Sequence, residues 1–217
     1  MTTSADSPQS PAELARRGKL LDAALLVFVR FGYRKASMDE VARAAGVSRQ
    51  GLYLRFTTKE DLFRATVAHC LDNQLRAARV PLADTARPID ERLVTALDEW
   101  LGRYVDLDGA NTSELIEASG ALTGSLIPEH NERFEQAVAD AIADSALETV
   151  YARADVSPAQ LARTLHATAR GFRHTAGSRT AFVEEVTTAV RVLCAPLGLM
   201  KRPTTSAATF AARRAGR

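Results

Sequence analysis

The chain has 217 residues, 46% hydrophobic and 25% charged, a composition that can bury a core without covalent staples. Its two cysteines, Cys70 and Cys194, lie far apart with neither metal nor redox spacing; this argues against a disulfide-held secreted scaffold, and both thiols are expected to be inert. The formal charge of +2 hides an asymmetry: residues 1–64 hold 11 basic against 7 acidic residues, 65–200 hold 12 against 19, and 201–217 hold 5 basic and no acidic ones. A basic end on an acidic body suggests that the end meets a polyanion. The longest apolar run, Ala23 to Val29, is far short of the ~20 residues of a membrane span, and residues 1–10 carry no export-signal pattern. A cytoplasmic protein with no membrane partner is expected.

Aromatic residues are 6% of the chain and no stretch alternates like a strand, so an all-α fold is expected. Residues 1–10 read as a disordered tail. The first helix starts near Pro11, carries Leu21, Ala24, Leu25 and Phe28 on one stripe, and stops at Gly32. Ser37-Met38-Asp39-Glu40 is a capping box opening a second helix, with Val41, Ala42 and Ala45 inward and Gly46 at its end. Ser48 caps a short third helix that turns Leu52 and Phe56 inward, and Thr57 to Asp61 open a fourth. Beyond Pro81, longer segments fall at about 89–106, 111–120, 128–153, 157–175 and 178–198, and 201–217 is a basic disordered tail. The expected units are 11–64 and 65–200.

Residues 37–56 have the layout of a helix-turn-helix. Gly46 can take the positive φ of the turn, Val47 fills the angle between the helices, and Ala42 and Ala45 allow close approach. With Leu52 and Phe56 inside, Arg49, Gln50, Tyr53 and Leu54 face outward. Arg can pair with guanine, Gln with adenine, Leu with a thymine methyl, and Tyr53 can reach a phosphate. Gly51 lets the backbone approach DNA, Ser37 and Ser48 at the helix starts join the candidate contacts, and Arg55 and Lys59 are placed to clamp phosphates.

The run Ala23-Ala24, Phe28, Phe31-Gly32-Tyr33, Ser37 to Ala42, Ala45 to Ser48, Leu52-Tyr53, Phe56 and Lys59 to Phe63 resembles the DNA-binding domain of TetR/AcrR-family transcriptional regulators. The resemblance covers residues 12–64. Arg55 departs from it, standing where the family often has histidine or an aromatic residue. The resemblance implies an N-terminal three-helix DNA-binding head and a larger C-terminal helical domain that holds an effector and dimerises through its last two helices, here 157–175 and 178–198.

No motif identifies the effector. Trp100, Tyr104, Phe134 and Tyr151 are either cavity lining or plain core, and His166, Arg170 and His174, spaced i, i+4, i+8, line a pocket or form an exposed or dimer-facing stripe. An apolar, acidic body is compatible with a lipophilic or cationic ligand. No metal or cofactor is expected. Phosphate-cradling glycine loops and hydrolase motifs are missing, so an enzyme is not expected. The expected function is a ligand-released repressor that binds an inverted repeat of double-stranded DNA as a homodimer. The alternative is a helical adaptor that uses the same head to bind protein.

Overall fold

The computed structural model describes residues 10–107 and 111–200, and every regular element among them is helical. The elements are α1 (Pro11–Lys35), α2 (Met38–Ala44), α3 (Arg49–Tyr53), α4 (Lys59–Ala83), α5 (Ile89–Leu101) with a 3-10 segment (Gly102–Leu107), α6 (Thr112–Leu122), α7 (Leu126–Ala143), α8 (Ala146–Ala152), α9 (Pro158–Thr175) and α10 (Arg179–Met200). The tails at 1–9 and 201–217 lie outside the described residues.

The starts follow local chemistry. Ser10, Ser37, Thr58 and Ser157 each accept from the amide three residues on, while Glu13, Glu40, Asp61 and Gln160 reach back to the cap amide, closing four capping boxes. One boundary departs from expectation. The segment expected over 128–153 is two helices, because Ser145 Oγ donates to the Ile142 carbonyl and accepts from the Leu147 amide, ending α7 and starting α8. Pro81 does not end α4, which runs to Ala83; the buried guanidinium of Arg92 donates to the Leu82 carbonyl and holds the negative end of that helix.

Two apolar clusters form. One gathers Phe28 of α1, Val41 of α2, Leu52 of α3 and Leu62 and Phe63 of α4. The other gathers Leu75 and Leu82 of α4, Leu97 and Trp100 of α5, Phe134 of α7, Leu165 of α9 and Phe182 of α10. Helix α4 serves both, so it is a continuous strut across the boundary expected at residue 64. Helix α6 belongs by sequence to the second block, yet its Leu115, Ala118 and Leu122 pack against the first cluster.

The joint between α1 and α6 turns on Gly32. This residue interrupts α1 with φ 77 and ψ 165, and a Cβ there would lie 2.7 Å from the Glu114 carboxylate. Only glycine meets both demands without strain. Glu114 accepts from the Arg34 amide at 2.6 Å, and Asn111 Nδ2 donates to the carbonyls of Arg30 at 2.9 Å and Val29 at 3.4 Å. At the far end of α6, Arg64 Nε donates to the Leu122 carbonyl at 2.9 Å. Gly32→Ala should therefore lower the unfolding free energy by about 1–3 kcal/mol. Adding Glu114→Ala should recover only the steric part of that loss; urea titrations of the single and double variants measure both.

Candidate nucleic-acid interface and ligand cavity

The helix-turn-helix is built as its residues dictate. Gly46 has φ 64 with nothing within 4 Å of a notional Cβ, so its requirement is conformational rather than steric. The Val47 amide donates back to the Ala42 carbonyl at 3.0 Å, fixing the turn. Leu52 and Phe56 are buried, which leaves Arg49, Gln50, Tyr53, Leu54 and Arg55 on the outside, Leu54 being 80% exposed. Between Glu40 and Glu60 the chain carries Arg43, Arg49, Arg55 and Lys59 and no acidic residue. The α3 surface thus presents hydrogen-bond donors and positive charge to solvent.

Arg49 is held in register from both sides. Its guanidinium donates to Asp39 Oδ2 at 2.9 Å and lies 5.6 Å from the centre of the Tyr53 ring. Ser48 Oγ accepts from the Gly51 amide at 3.0 Å, and a Cβ on Gly51 would lie 3.0 Å from that oxygen. The glycine therefore makes room for the helix cap, a reason for its presence that does not involve DNA. Arg55 is exposed beside a shallow recess formed with Glu13, Arg17 and Phe56.

Two of the candidate DNA contacts also have partners within the protein. Lys59 Nζ donates to the carbonyls of Tyr33 at 2.9 Å, Arg34 at 3.1 Å and Ala36 at 3.2 Å, and stands 4.7 Å from the centre of the Tyr33 ring. The ammonium is thus directed at the carbonyl end of α1, whose dipole favours a cation. The Ser37 hydroxyl donates to Glu40 Oε2 at 2.8 Å and accepts from the Glu40 amide at 3.2 Å, so its proton is committed to the cap.

The candidate ligand residues divide. Trp100 and Phe134 stack at 4.9 Å and are buried with His166, so all three belong to the packed interior. The Trp100 indole N–H donates to His166 Nε2 at 3.3 Å, which places the ring proton on Nδ1, 2.7 Å from Glu135 Oε1. The neutral ring is thereby satisfied on both sides. Burial, and secondarily Arg170, push the His166 pKa down against the opposing pull of Glu135. The Tyr104 side chain lies outside the described residues. Tyr151 donates to the Leu193 carbonyl at 2.8 Å and joins α8 to α10. Neither Cys70 nor Cys194 is in a disulfide, and burial raises Cys194 to about 11, keeping it protonated at neutral pH.

Of that set, Arg170 reaches a cavity of about 410 Å3. Leu25, Phe28 and Val29 of α1, Phe63, Val67 and Leu71 of α4, and Leu115 and Ile116 of α6 form its apolar walls. Arg170, Arg173 and His174 of α9 close one side, with Gln74 and Asn131 as neutral polar lining. The volume falls within the range of small-molecule sites. Sequence reading missed this cavity because its walls come from six helices and no local pattern marks them.

Residues 20–66 match the family model described as bacterial regulatory proteins, tetR family. This stretch is similar to the DNA-binding domain of that family. The HTH-type transcriptional activator FasR of Mycolicibacterium smegmatis is 46% identical over 70 residues, 32% of each chain. The uncharacterized regulator YfiR of Bacillus subtilis is 39% identical over 61 residues, 28% of this chain and 30% of that one. The chain therefore aligns with about a third of the length of these TetR-type relatives. A putative TetR-family regulator from Mesorhizobium loti superposes with TM-score 0.66 at 18% identity, covering 87% of this chain and 98% of that one, which establishes the shared fold.

These contacts carry two expectations. Lys59→Met should destabilise the protein by about 1–3 kcal/mol, because three carbonyls lose a charged donor, and this should appear as a lower urea midpoint in the absence of DNA. For His166, the pKa is lowered on folding from the ordinary value of 6.5, so the unfolded chain binds the proton more readily. Its contribution is complete above pH 6.5 and is lost as pH falls below that value toward the folded pKa. Urea midpoints measured across this window should decline for the wild type and decline less for His166→Gln.

Proposed function

We propose that this protein is a DNA-binding transcriptional regulator in which residues 11–64 form a head that reads the major groove and residues 65–200 form an effector-binding and dimerisation body. The observation that carries the reading is the outward face of α3, where Arg49, Gln50, Tyr53 and Leu54 are exposed together on a stretch without acidic residues. Arg49 pairs with guanine, Gln50 with adenine, and Leu54 lies against a thymine methyl; Tyr53 and Arg55 hold the backbone. The names of the relatives that match the head support the same activity.

One short recognition helix reads too few bases for a unique site, so two heads act together on an inverted repeat. The dimer forms through 157–175 and 178–198. The packing of α9 against α10 supports this, as does Val192, 70% exposed on α10. The cavity supports effector control, since the same α6 that supplies Leu115 and Ile116 to its wall holds α1 through Glu114 and Asn111. A ligand wedged between α1 and α6 competes with that joint and re-spaces the heads, so the effector releases DNA and the protein is a repressor.

A mobility-shift assay with the duplex upstream of the gene tests the reading. The wild-type chain should retard it with an affinity that falls steeply with salt, and Arg49→Ala/Tyr53→Ala should lose sequence-selective retardation. Undiminished selective binding by that variant, or no binding at low salt, refutes groove reading by α3. Salt-indifferent capture of a protein partner by the head points to an adaptor instead.

A further inference from the structure

Resting on the reading that α3 enters the major groove, we propose that Asp39 determines specificity by steering the Arg49 guanidinium away from phosphates and toward the neutral edge of a base. Asp39 lies in the first turn of α2, where Glu40 beside it already closes the capping box with Ser37. The helix start is complete without Asp39. Its carboxylate instead accepts from Arg49 Nη1 at 2.9 Å, linking α2 to the outward side of α3. With side-chain exposures of 67% for Arg49 and 48% for Asp39, the pair stands in water and contributes little to the fold.

A negative charge at this place works against DNA binding as such. The stretch after Glu40 carries Arg43, Arg49, Arg55 and Lys59 and no acid before Glu60, so Asp39 borders the face that meets a polyanion. The two kinds of partner open to Arg49 differ in charge. A phosphate that takes the guanidinium brings its own negative charge beside Asp39, and the two anions repel. The N7 and O6 atoms of guanine accept two N–H bonds and bring no net charge. The contact with Asp39 is a single bond from one of five guanidinium donors, so a guanine edge can displace it. Asp39 therefore weakens binding to duplexes in general, and weakens it least where Arg49 meets a guanine.

Selection of sites from a random duplex pool by the full-length protein tests this, followed by titration of the selected duplex and of a scrambled one. Wild type should select a site with a fixed guanine that Arg49→Ala no longer requires. Asp39→Asn should bind the scrambled duplex several-fold more tightly and gain less on the selected one, so that the ratio of the two affinities falls roughly threefold or more. Asp39→Glu, which keeps the charge, should keep most of the ratio, and Asp39→Ser supplies a second neutral side chain if Asn disturbs the helix start. In an Arg49→Ala background, Asp39→Asn should leave the ratio unaltered, because Asp39 acts through Arg49. A ratio unchanged or raised by the neutral variants overturns the proposal. So does an equal fall with Arg49 absent, or a loss in Asp39→Glu as large as in Asp39→Asn. Wild type selecting no site removes groove reading by α3 and this proposal with it; a selected site whose ratio is indifferent to Asp39 removes this proposal alone.

Discussion

The carbonyl end of α1 is the constraint on which the rest of the molecule depends. A helix that breaks at Gly32 leaves carbonyls without helical partners, and here side chains from distant elements satisfy them. Asn111 takes those of Val29 and Arg30, and Lys59 takes those of Tyr33, Arg34 and Ala36. These contacts tie the first turn of α4 and the start of α6 to one short stretch of chain, immediately before the capping box of α2. The orientation of the helix-turn-helix relative to the long helices is thus set by hydrogen bonds to backbone, supported by the Phe28, Tyr33 and Phe63 rings packed around the same point.

Helix α6 has two kinds of contact that pull on each other. Its apolar side supplies Leu115 and Ile116 to the cavity wall, while Glu114 engages the Arg34 amide and the Leu122 carbonyl engages Arg64. The Gly32 turn leaves no slack, since even a methyl group there would meet the Glu114 carboxylate. A rigid helix cannot move one side without the other. A change of volume in the cavity is therefore felt at the end of α1 within the space of one helix, and no longer chain of couplings is needed to connect body and head.

Much of the local structure was legible in the sequence because it is decided by neighbours three or four residues apart. The box at Ser37 and Glu40, the cap at Ser48 and the turn at Gly46 stand where the pattern puts them. The outward set on α3 follows by elimination once Leu52 and Phe56 are inside. What was not legible depends on partners far along the chain. Nothing local to Lys59 shows that its ammonium reaches carbonyls 23 to 26 residues earlier. In sequence Trp100 and Phe134 read as cavity lining or core and His166 as pocket lining or an exposed or dimer-facing stripe, and burial with the indole-to-imidazole hydrogen bond places all three in the core. Ser145 gave no clear stop because helical periodicity continues across it, and the cavity, assembled from α1, α4, α5, α6, α7 and α9, has no linear signature.

Arg49 illustrates how a site can be ordered in advance without being committed. Its bond to Asp39 is solvent-exposed, with side-chain exposures of 67% and 48%, and exposed pairs contribute about 0–1 kcal/mol. A bidentate contact with the right base is worth about 1–3 kcal/mol of discrimination. On the proposed duplex the exchange favours the base, and when the base is wrong the guanidinium has a carboxylate to return to. Asp39 also repels phosphates that approach in the wrong register, so the pair penalises mismatched docking as well as orienting the reader. The Tyr53 ring, its centre 5.6 Å from the guanidinium carbon, adds a second contact on the same side chain. On the proposed duplex, specificity would therefore come from a weak internal contact that only the correct partner outbids.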